Sequence, residues 1–151
     1  MARLLVRNDD VVVRLSWREA LLARRKDVRV PLADVRGAMV EADWWRTLRG
    51  TAQHGRWRPE RFCLGTWRHA GGIDFVAVRA PGPVAVVDLF PGRRFARLSV
   101  STADPEGTVR AVRLAARWAR EGADPPRGGR RHEPSRNRGG DRREKRSTRS
   151  A

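Results

Sequence analysis

Arginine and tryptophan, the residues of this chain best suited to binding a ligand, occur together between positions 44 and 69, which hold four of the six tryptophans. This stretch contains six arginines, four tryptophans and a single acidic residue, Glu60. Arginine can form paired hydrogen bonds with phosphate or carboxylate, and an indole ring can stack on a base or lie at a lipid interface. We predict a ligand-binding set here: Trp44, Trp45, Arg46, Arg49, Arg56, Trp57 and Arg58. In the alternative, the tryptophans fill the open end of a small barrel and the arginines stack on them or remain solvated.

A second group of arginines lies on a predicted helix that begins near Asp104. Thr102 or Asp104 can cap this helix, and Pro105 suits its first turn. At about 100° per residue, valines and alanines share one face, Leu114 and Trp118 form a second apolar strip, and arginines occupy the remaining sector. We predict that three of them extend the ligand-binding set: Arg110, Arg113 and Arg117. In the alternative, they are the solvated face of an amphipathic helix.

The residues that could support catalysis are few and lack the spacing of a known motif. Cys63 could act as a nucleophile with His54 or His69 as its base, but it lies in a strand pattern typical of a small core residue. There is no phosphate-binding loop, HExxH or GxSxG, and the cysteine and the two histidines are spaced too irregularly for zinc. We therefore predict that the chain is not an enzyme and uses neither a cofactor nor a metal.

The chain carries a strong positive charge. Its 33 Lys and Arg residues exceed its 17 Asp and Glu residues by 16, and Lys26 and Lys145 are the only lysines. A field of this sign attracts nucleic acid, acidic lipid surfaces and acidic proteins, with affinities that fall as the salt concentration rises. In the alternative, the arginine excess reflects the base composition of a GC-rich genome, since alanine and glycine are also abundant and tyrosine is absent.

The sequence divides into a predicted domain, residues 1–122, and a predicted disordered arginine-rich tail, residues 123–151. Beyond position 126 there is no aliphatic or aromatic residue except the last alanine, so this part cannot bury enough apolar area to offset the entropy of ordering it. The tail contains two RGG-type units, at 127–129 and 138–140, of the kind that can hold RNA. In the alternative, the tail only increases solubility.

Features that would direct the chain to a membrane or an oxidising compartment are absent from the sequence. Cys63 is the single cysteine, so no intrachain disulfide can form, and no apolar run is long enough to span a membrane. The N-terminal apolar stretch is too short for a signal peptide, and Asp9 and Asp10 follow it closely. We predict a cytoplasmic protein, whose attachment to a membrane surface would require acidic lipid. The sequence contains no indication of an oligomeric state.

The beginning of the chain predicts a strand pair followed by a short helix. Residues 2–15 are rich in valine and leucine and are interrupted by a polar turn. Ser16 can cap the helix, and Glu19, three residues later, completes a capping box. Within this helix we expect Trp17, Leu21 and either Ala20 or Leu22 to point inward.

The next part of the chain predicts strands separated by one long loop. Residues 27–42 alternate as a strand, with an edge or bend at Pro31 and a bulge at Gly37. Residues 44–61 contain two glycines and a proline, and we expect them to form a long loop, which is often functional. Residues 62–67 return to strand.

The last part of the domain predicts three short strands and the helix that carries the second arginine group. The strands span residues 72–79, 84–90 and 93–100, separated by turns that contain proline and glycine. Residues 84–90 are apolar on both faces apart from Asp88, so we expect a central strand. Together these elements predict a meander with the helix packed over it.

Several phrases of residues 3–120 carry a family resemblance. They are residues 27–35 (DVRVPLADV), 49–51 (RGT), 64–66 (LGT), 74–78 (DFVAV) and 97–101 (RLSVS), with Asp104-Pro105 opening the last helix. Together they resemble a group of small bacterial, mainly actinobacterial, proteins with a pleckstrin-homology-like (PH-like) domain. The resemblance implies a mainly β fold with helices (α+β), a curved β-sandwich or barrel capped by a C-terminal helix. Residues 54–59 are more basic and aromatic than the corresponding loop of that group.

PH-like domains generally bind phosphoinositides, phosphopeptides, peptides or proteins, and the resemblance implies no single ligand. We therefore predict a non-catalytic PH-like binding module whose partner is a protein or another anionic ligand. In the alternative, the chain is a non-specific nucleic-acid-binding protein that uses the basic stretch and the Arg/Gly tail.

Overall fold

In the computed structural model, residues 1–58 and 60–122 are described and form nine strands and two α-helices. The predicted tail, residues 123–151, lies outside the described residues. The strands are β1 (Arg3–Arg7), β2 (Asp10–Arg14), β3 (Val28–Pro31), β4 (Val35–Glu41), β5 (Thr51–Arg58), β6 (Phe62–His69), β7 (Gly72–Arg79), β8 (Val84–Leu89) and β9 (Arg97–Val100). The helices are α1 (Trp17–Ala23) and α2 (Pro105–Glu121), and short 3-10 helices lie at Leu32–Asp34 and Trp44–Thr47.

The strands form two open sheets. The small sheet contains β1, β2 and β3 in that order, all antiparallel. The large sheet has the order β4-β8-β9-β7-β6-β5, and its neighbours are antiparallel except for β7 and β9, which run parallel. The predicted mainly β, α+β class with a C-terminal helix is therefore confirmed, in the form of two separate sheets.

The main hydrophobic core is built from both sheets and from α2. α2 packs against β1, β4 and β8, so it joins the small sheet to one side of the large sheet. Each fully buried valine, leucine or phenylalanine side chain of this core stabilises the fold by about 1.5–3 kcal/mol. Its largest fully buried members come from both sheets: Val11, Val13, Val35, Phe75, Val87, Leu98 and Val100. α2 contributes Val109, Val112 and Ala116.

The predicted helix ends are confirmed. In α1, the Ser16 hydroxyl accepts from the Glu19 N–H, and the Glu19 carboxylate accepts from the Ser16 N–H at 2.9 Å. In α2, the Asp104 carboxylate accepts from the Gly107 N–H at 2.9 Å, and Pro105 occupies the first turn. These caps satisfy donors that the first helical turn leaves without partners. Neither helix of the described residues is long and apolar enough to cross a membrane.

The orientation predicted for α1 is wrong for Trp17 and Leu21, whereas Leu22 packs against the main core as expected. Trp17 and Leu21 are 72% and 71% exposed, whereas Ala23 is buried. Residues i and i+4 share one face of a helix, so the two large side chains lie together on the face that the core does not cover. With only seven residues, α1 is too short for hydrophobic periodicity to show which face turns inward.

The predicted meander is also wrong, because β9 lies between β8 and β7 instead of beside β8 at an edge. β9 is buried on both faces, with Leu98 and Ser99 both fully buried. Phe95, just before β9, packs edge-to-face with Phe75 at a centroid distance of 6.0 Å. The alternation of β9 indicates a strand but does not identify its neighbours, since pairing depends on contacts distant in sequence. The expected central position of residues 84–90 is confirmed by β8, an interior strand.

The expected features of residues 27–42 are present. Pro31 ends β3, which is an edge strand of the small sheet, and a register shift in β4 lies between Val35 and Gly37. An edge position suits proline because proline has no N–H to contribute to a sheet.

The long loop predicted for residues 44–61 is wrong, because it contains a 3-10 helix and the whole of β5. All eight residues of β5 are exposed, so the sequence shows no alternation of apolar and polar residues there. Gly55 of β5 pairs with Gly65 of β6, with φ angles of 130° and 141°. A Cβ atom on Gly55 would lie 2.0 Å from the Leu64 carbonyl oxygen, so only glycine allows this close approach.

We expect Gly55→Ala to destabilise the fold more than Gly82→Ala. Both glycines have similar φ angles, 130° and 134°, so both substitutions introduce backbone strain of about 1–3 kcal/mol. A Cβ on Gly82 meets no atom within 4 Å, whereas one on Gly55 collides with β6. Urea unfolding followed by tryptophan fluorescence gives the two free energies of unfolding. Equal losses would contradict the close approach of β5 and β6.

Candidate functional site

The large sheet has two faces, and the residues of the predicted ligand-binding set are distributed between them. Directly opposed residues of neighbouring strands share a face. Arg56 pairs with Leu64 and Leu64 with Ala77, both members of the main core, so this side is called the inner face. Trp57 pairs with Cys63 and Cys63 with Val78, which lie on the opposite, outer face.

Trp44 helps to cover a second apolar cluster on the outer face. This outer cluster comprises Cys63, Trp67, Val76, Val78, Val84 and Val86. Trp44 and Leu48 pack against it as partly buried side chains. The buried Thr47 hydroxyl donates to the Trp44 carbonyl oxygen at 2.6 Å and holds this short segment in its 3-10 form. The structure thus places Trp44 in apolar packing, away from the open end between the sheets.

Arg49 forms an ion pair with Asp74 of β7, whose side chain is fully buried. Its Nε and a terminal nitrogen donate to the two Asp74 carboxylate oxygens at 2.7 and 2.8 Å. His69 Nε2 lies 2.9 Å from Asp74 Oδ1, and the Asp74 side chain has no exposed surface. The two hydrogen bonds that Arg49 donates to Asp74 raise the pKa of Arg49. Arg49 is therefore committed to an internal partner.

A row of charged residues continues from Asp74 across the outer face. Asp74 pairs with Arg97 of β9, and Arg97 pairs with Asp88 of β8. Arg97 Nε donates to Asp88 Oδ1 at 2.6 Å, and the Asp88 charge adds to the rise in the pKa of Arg49. Two arginines and two aspartates compensate one another here. This part of a very basic protein is therefore electrically balanced.

Trp45 and Arg46 lie on the surface beside the 3-10 helix. Trp45 is exposed, and the Arg46 guanidinium lies over its ring at 5.3 Å from the centroid. Arg46 also lies 3.2 Å from an Asp43 carboxylate oxygen. Exposed contacts of this kind contribute little to stability, so both side chains remain free to rearrange around a ligand.

Arg56, Trp57 and Arg58 lie on β5 and, with His54, form what we call the β5 surface. His54 pairs with Thr66, Arg56 with Leu64 and Arg58 with Phe62, so these three side chains belong to the inner face. Trp57 belongs to the outer face and is 57% exposed. β5 contains no acidic residue.

A cleft of about 740 Å³ lies between the end of α1 and the β5 surface. Its floor includes Phe75 and Leu22, and its rim includes Arg24, Arg25, His54 and Arg56. Sequence reasoning missed Arg24 and Arg25. The run Arg24-Arg25-Lys26 is visible in the sequence, but the contact of α1 with β5 that makes it relevant is tertiary.

The second arginine group lies along a groove of about 560 Å³ between α2 and β4. This arginine groove is lined by Arg36, Arg110, Arg113, Arg117 and Arg120. Arg113 Nε donates to the Ala38 carbonyl oxygen at 2.7 Å, and Arg120 donates to the Val35 carbonyl oxygen at 2.9 Å. Because β4 and β5 are opposite edges of the large sheet, the structure does not bring the two predicted arginine groups together.

The residues weighed for catalysis are not assembled into a nucleophile and base. Cys63 is buried on the outer face, and burial raises the pKa of its thiol. His54 lies on the inner face, and His69 is hydrogen-bonded to Asp74 and to the Gly71 N–H. Within residues 1–58 and 60–122, no three His, Cys, Asp or Glu side chains are grouped so as to hold a metal ion.

We expect Arg49→Met to lower the free energy of unfolding by about 3–5 kcal/mol, since it leaves the Asp74 charge buried without its partner. Arg46→Met, in the same segment but exposed, is the control and should change stability by less than about 0.5 kcal/mol. Adding Asp74→Leu to Arg49→Met should recover much of the loss. Urea unfolding of the three variants measures these differences, and similar losses for Arg46→Met and Arg49→Met would argue against the ion pair.

No protein-family model matches the chain, and neither the curated proteins nor the solved structures that were compared with it include a match. The functional conclusions below are therefore drawn from the residues of this chain alone.

Proposed function

We propose that this chain is a non-catalytic binding module that holds an acidic protein partner through the β5 surface. The observation that carries this proposal is that β5 is fully exposed, lacks acidic residues and presents Arg56 and Arg58 on its inner face, with an exposed Trp57 on its outer face. Arginine forks bind carboxylates through paired hydrogen bonds, and a large exposed aromatic ring is typical of interface anchors.

Three other members of the predicted set, Arg49, Arg113 and Trp44, are less suited to this role. Arg49 and Arg113 already bond to internal acceptors, and Trp44 packs on the outer cluster. Using any of them for a ligand would first require breaking contacts of the fold. On the β5 surface, by contrast, no side-chain hydrogen bond or ion pair occupies Arg56 or Arg58 among the described residues.

A binding role also agrees with the state of the residues weighed for catalysis. The Cys63 thiol is buried with a raised pKa, which favours the unreactive protonated form. We further propose that the domain is PH-like, as the sequence phrases imply. Support comes from the mainly β architecture in which a C-terminal helix packs across both sheets.

A second candidate function is nucleic-acid binding, favoured by one specific observation. Trp57 is exposed on the outer face of an edge strand whose inner face carries Arg56 and Arg58, so its ring can stack on a base while the arginines attract the phosphate backbone. The two functions differ in the role of Trp57. Binding of an acidic protein would depend mainly on Arg56 and Arg58, whereas binding of single-stranded nucleic acid would also depend on the aromatic ring of Trp57.

We expect Arg56→Ser/Arg58→Ser to weaken binding of a fluorescein-labelled, glutamate-rich peptide about tenfold, because two charge-assisted contacts are lost. The matched control is Arg110→Ser/Arg117→Ser, which removes the same charge from the arginine groove and should weaken binding only about twofold. Fluorescence anisotropy with the full-length chain across a salt series measures both.

Two outcomes of this experiment would count against the proposal. Equal losses for the two double variants would show that the net charge of the chain attracts the peptide, without a defined surface. Tighter binding of a single-stranded RNA than of the peptide, weakened by Trp57→Ala at every salt concentration, would favour nucleic-acid binding instead.

A further inference from the structure

We infer that β5 binds an extended acidic segment of the partner as an additional strand of the large sheet. This inference rests on the proposed function and specifies how the partner is held. An exposed sheet edge presents unpaired backbone N–H and C=O groups, which an extended peptide can satisfy by pairing with it.

The two edges of the large sheet, β4 and β5, differ in whether their backbone groups have partners outside the sheet. At β4, Arg113 and Arg120 of α2 donate to the carbonyl oxygens of Ala38 and Val35, so two backbone acceptors of this edge already have partners. At β5, the only strand paired with it in the described part of the chain is β6. Bonds from α2 therefore occupy carbonyl groups of the β4 edge, whereas the β5 edge is available.

The pairing of β5 with β6 is in continuous register over residues 54–58. A register shift between Ala52 and His54 interrupts the pairing with β6, but from His54 to Arg58 each residue has a consecutive partner. Five residues of strand span about 17 Å, which is a typical strand length. A short peptide is therefore long enough to occupy this edge.

The side chains of residues 54–58 define the pattern that a bound strand should have. His54, Arg56 and Arg58 alternate along the inner face, and Trp57 lies on the outer face. Cross-strand neighbours on one face interact directly, so acidic residues at alternate positions of the partner would meet the basic side chains. An apolar residue between two acidic ones would then contact Trp57.

The cleft between α1 and β5 extends the basic surface beyond the strand itself. Arg24 and Arg25 line the cleft together with His54 and Arg56. An acidic side chain on the inner face of the added strand would therefore be near arginines from two elements. This arrangement favours Asp and Glu on the inner face over other polar residues.

Charge also argues against two other occupants of the edge. A second copy pairing antiparallel about Arg56 would oppose Arg56 to Arg56 and His54 to Arg58, and like charges directly opposite are destabilising. The chain's own residues 125–151 contain ten Lys and Arg but only three Asp and Glu, so they are as poorly matched. An acidic segment of another protein remains the matched partner.

The test compares two peptides of identical composition with the full-length chain. One alternates glutamate with valine, and the other has all its glutamates together followed by its valines. We expect the alternating peptide to bind about tenfold more tightly, since only it places acids on one face and apolar residues on the other. Isothermal titration calorimetry measures the affinities.

Hydrogen exchange followed by mass spectrometry provides a readout that is local to the edge. With the alternating peptide bound, we expect the amides of β5 to exchange about tenfold more slowly and those of β4 to be unchanged. Arg56→Glu/Arg58→Glu should abolish this protection, and a peptide alternating lysine with valine should restore it. Charge-swap rescue separates a pairing defect from a folding defect.

Each other outcome overturns the inference in a recognisable way. Equal affinities with unchanged exchange at β5, but continued sensitivity to Arg56→Ser/Arg58→Ser, would reject strand addition and leave the proposed function standing. Binding that is insensitive to those substitutions would reject both. Slow amide exchange of β5 in the absence of peptide, together with dimers in analytical ultracentrifugation, would assign the edge to a second copy. Slow exchange of β5 with RNA but not with peptide would assign the edge to nucleic acid.

Discussion

The burial of the Asp74 carboxylate on the outer face is the constraint on which the arrangement of residues 44–50 depends. A fully buried carboxylate is costly unless charged and polar groups surround it. Arg49 and His69 provide these groups, and Arg49 can reach Asp74 only if its segment crosses the outer face. That crossing also places Trp44 and Leu48 over the outer cluster. An electrostatic requirement therefore determines how an apolar surface is covered.

The arginines of this chain fall into groups with different contacts, although the composition shows them only as one excess of positive charge. Arg49 and Arg97 neutralise buried or half-buried aspartates, and Arg113 and Arg120 satisfy carbonyl groups of β4. Arginines such as Arg56, for which residues 1–58 and 60–122 provide no such partner, are the ones that can meet a ligand. A count of charges measures the strength of the field around the protein. The contacts of each guanidinium determine which part of that field belongs to a surface that can bind.

Local chemistry made the helix ends, the bulge at Gly37 and the class of the fold predictable from the sequence. Caps and turns depend on residues a few positions apart, so Ser16 with Glu19 was sufficient to place α1. β5 could not be predicted, because a fully exposed strand shows no burial pattern. The partner of Arg49 lies 25 residues away, and no local pattern distinguishes an arginine bonded to Asp74 from one that faces solvent. The sequence therefore indicates where basic and aromatic residues occur together, but not which of them bond to partners within the fold.

The bonds between α2 and β4 have a consequence for the order in which the chain is made. Arg113 follows Ala38 by 75 residues, and Arg120 follows Val35 by 85. On the ribosome, β4 is complete long before the arginines that cover its carbonyls are synthesised. During that interval both edges of the nascent large sheet are unprotected, and exposed edges promote intermolecular pairing. A premature stop codon before α2 would thus produce an aggregation-prone fragment in which neither the β4 edge nor the β5 edge is covered.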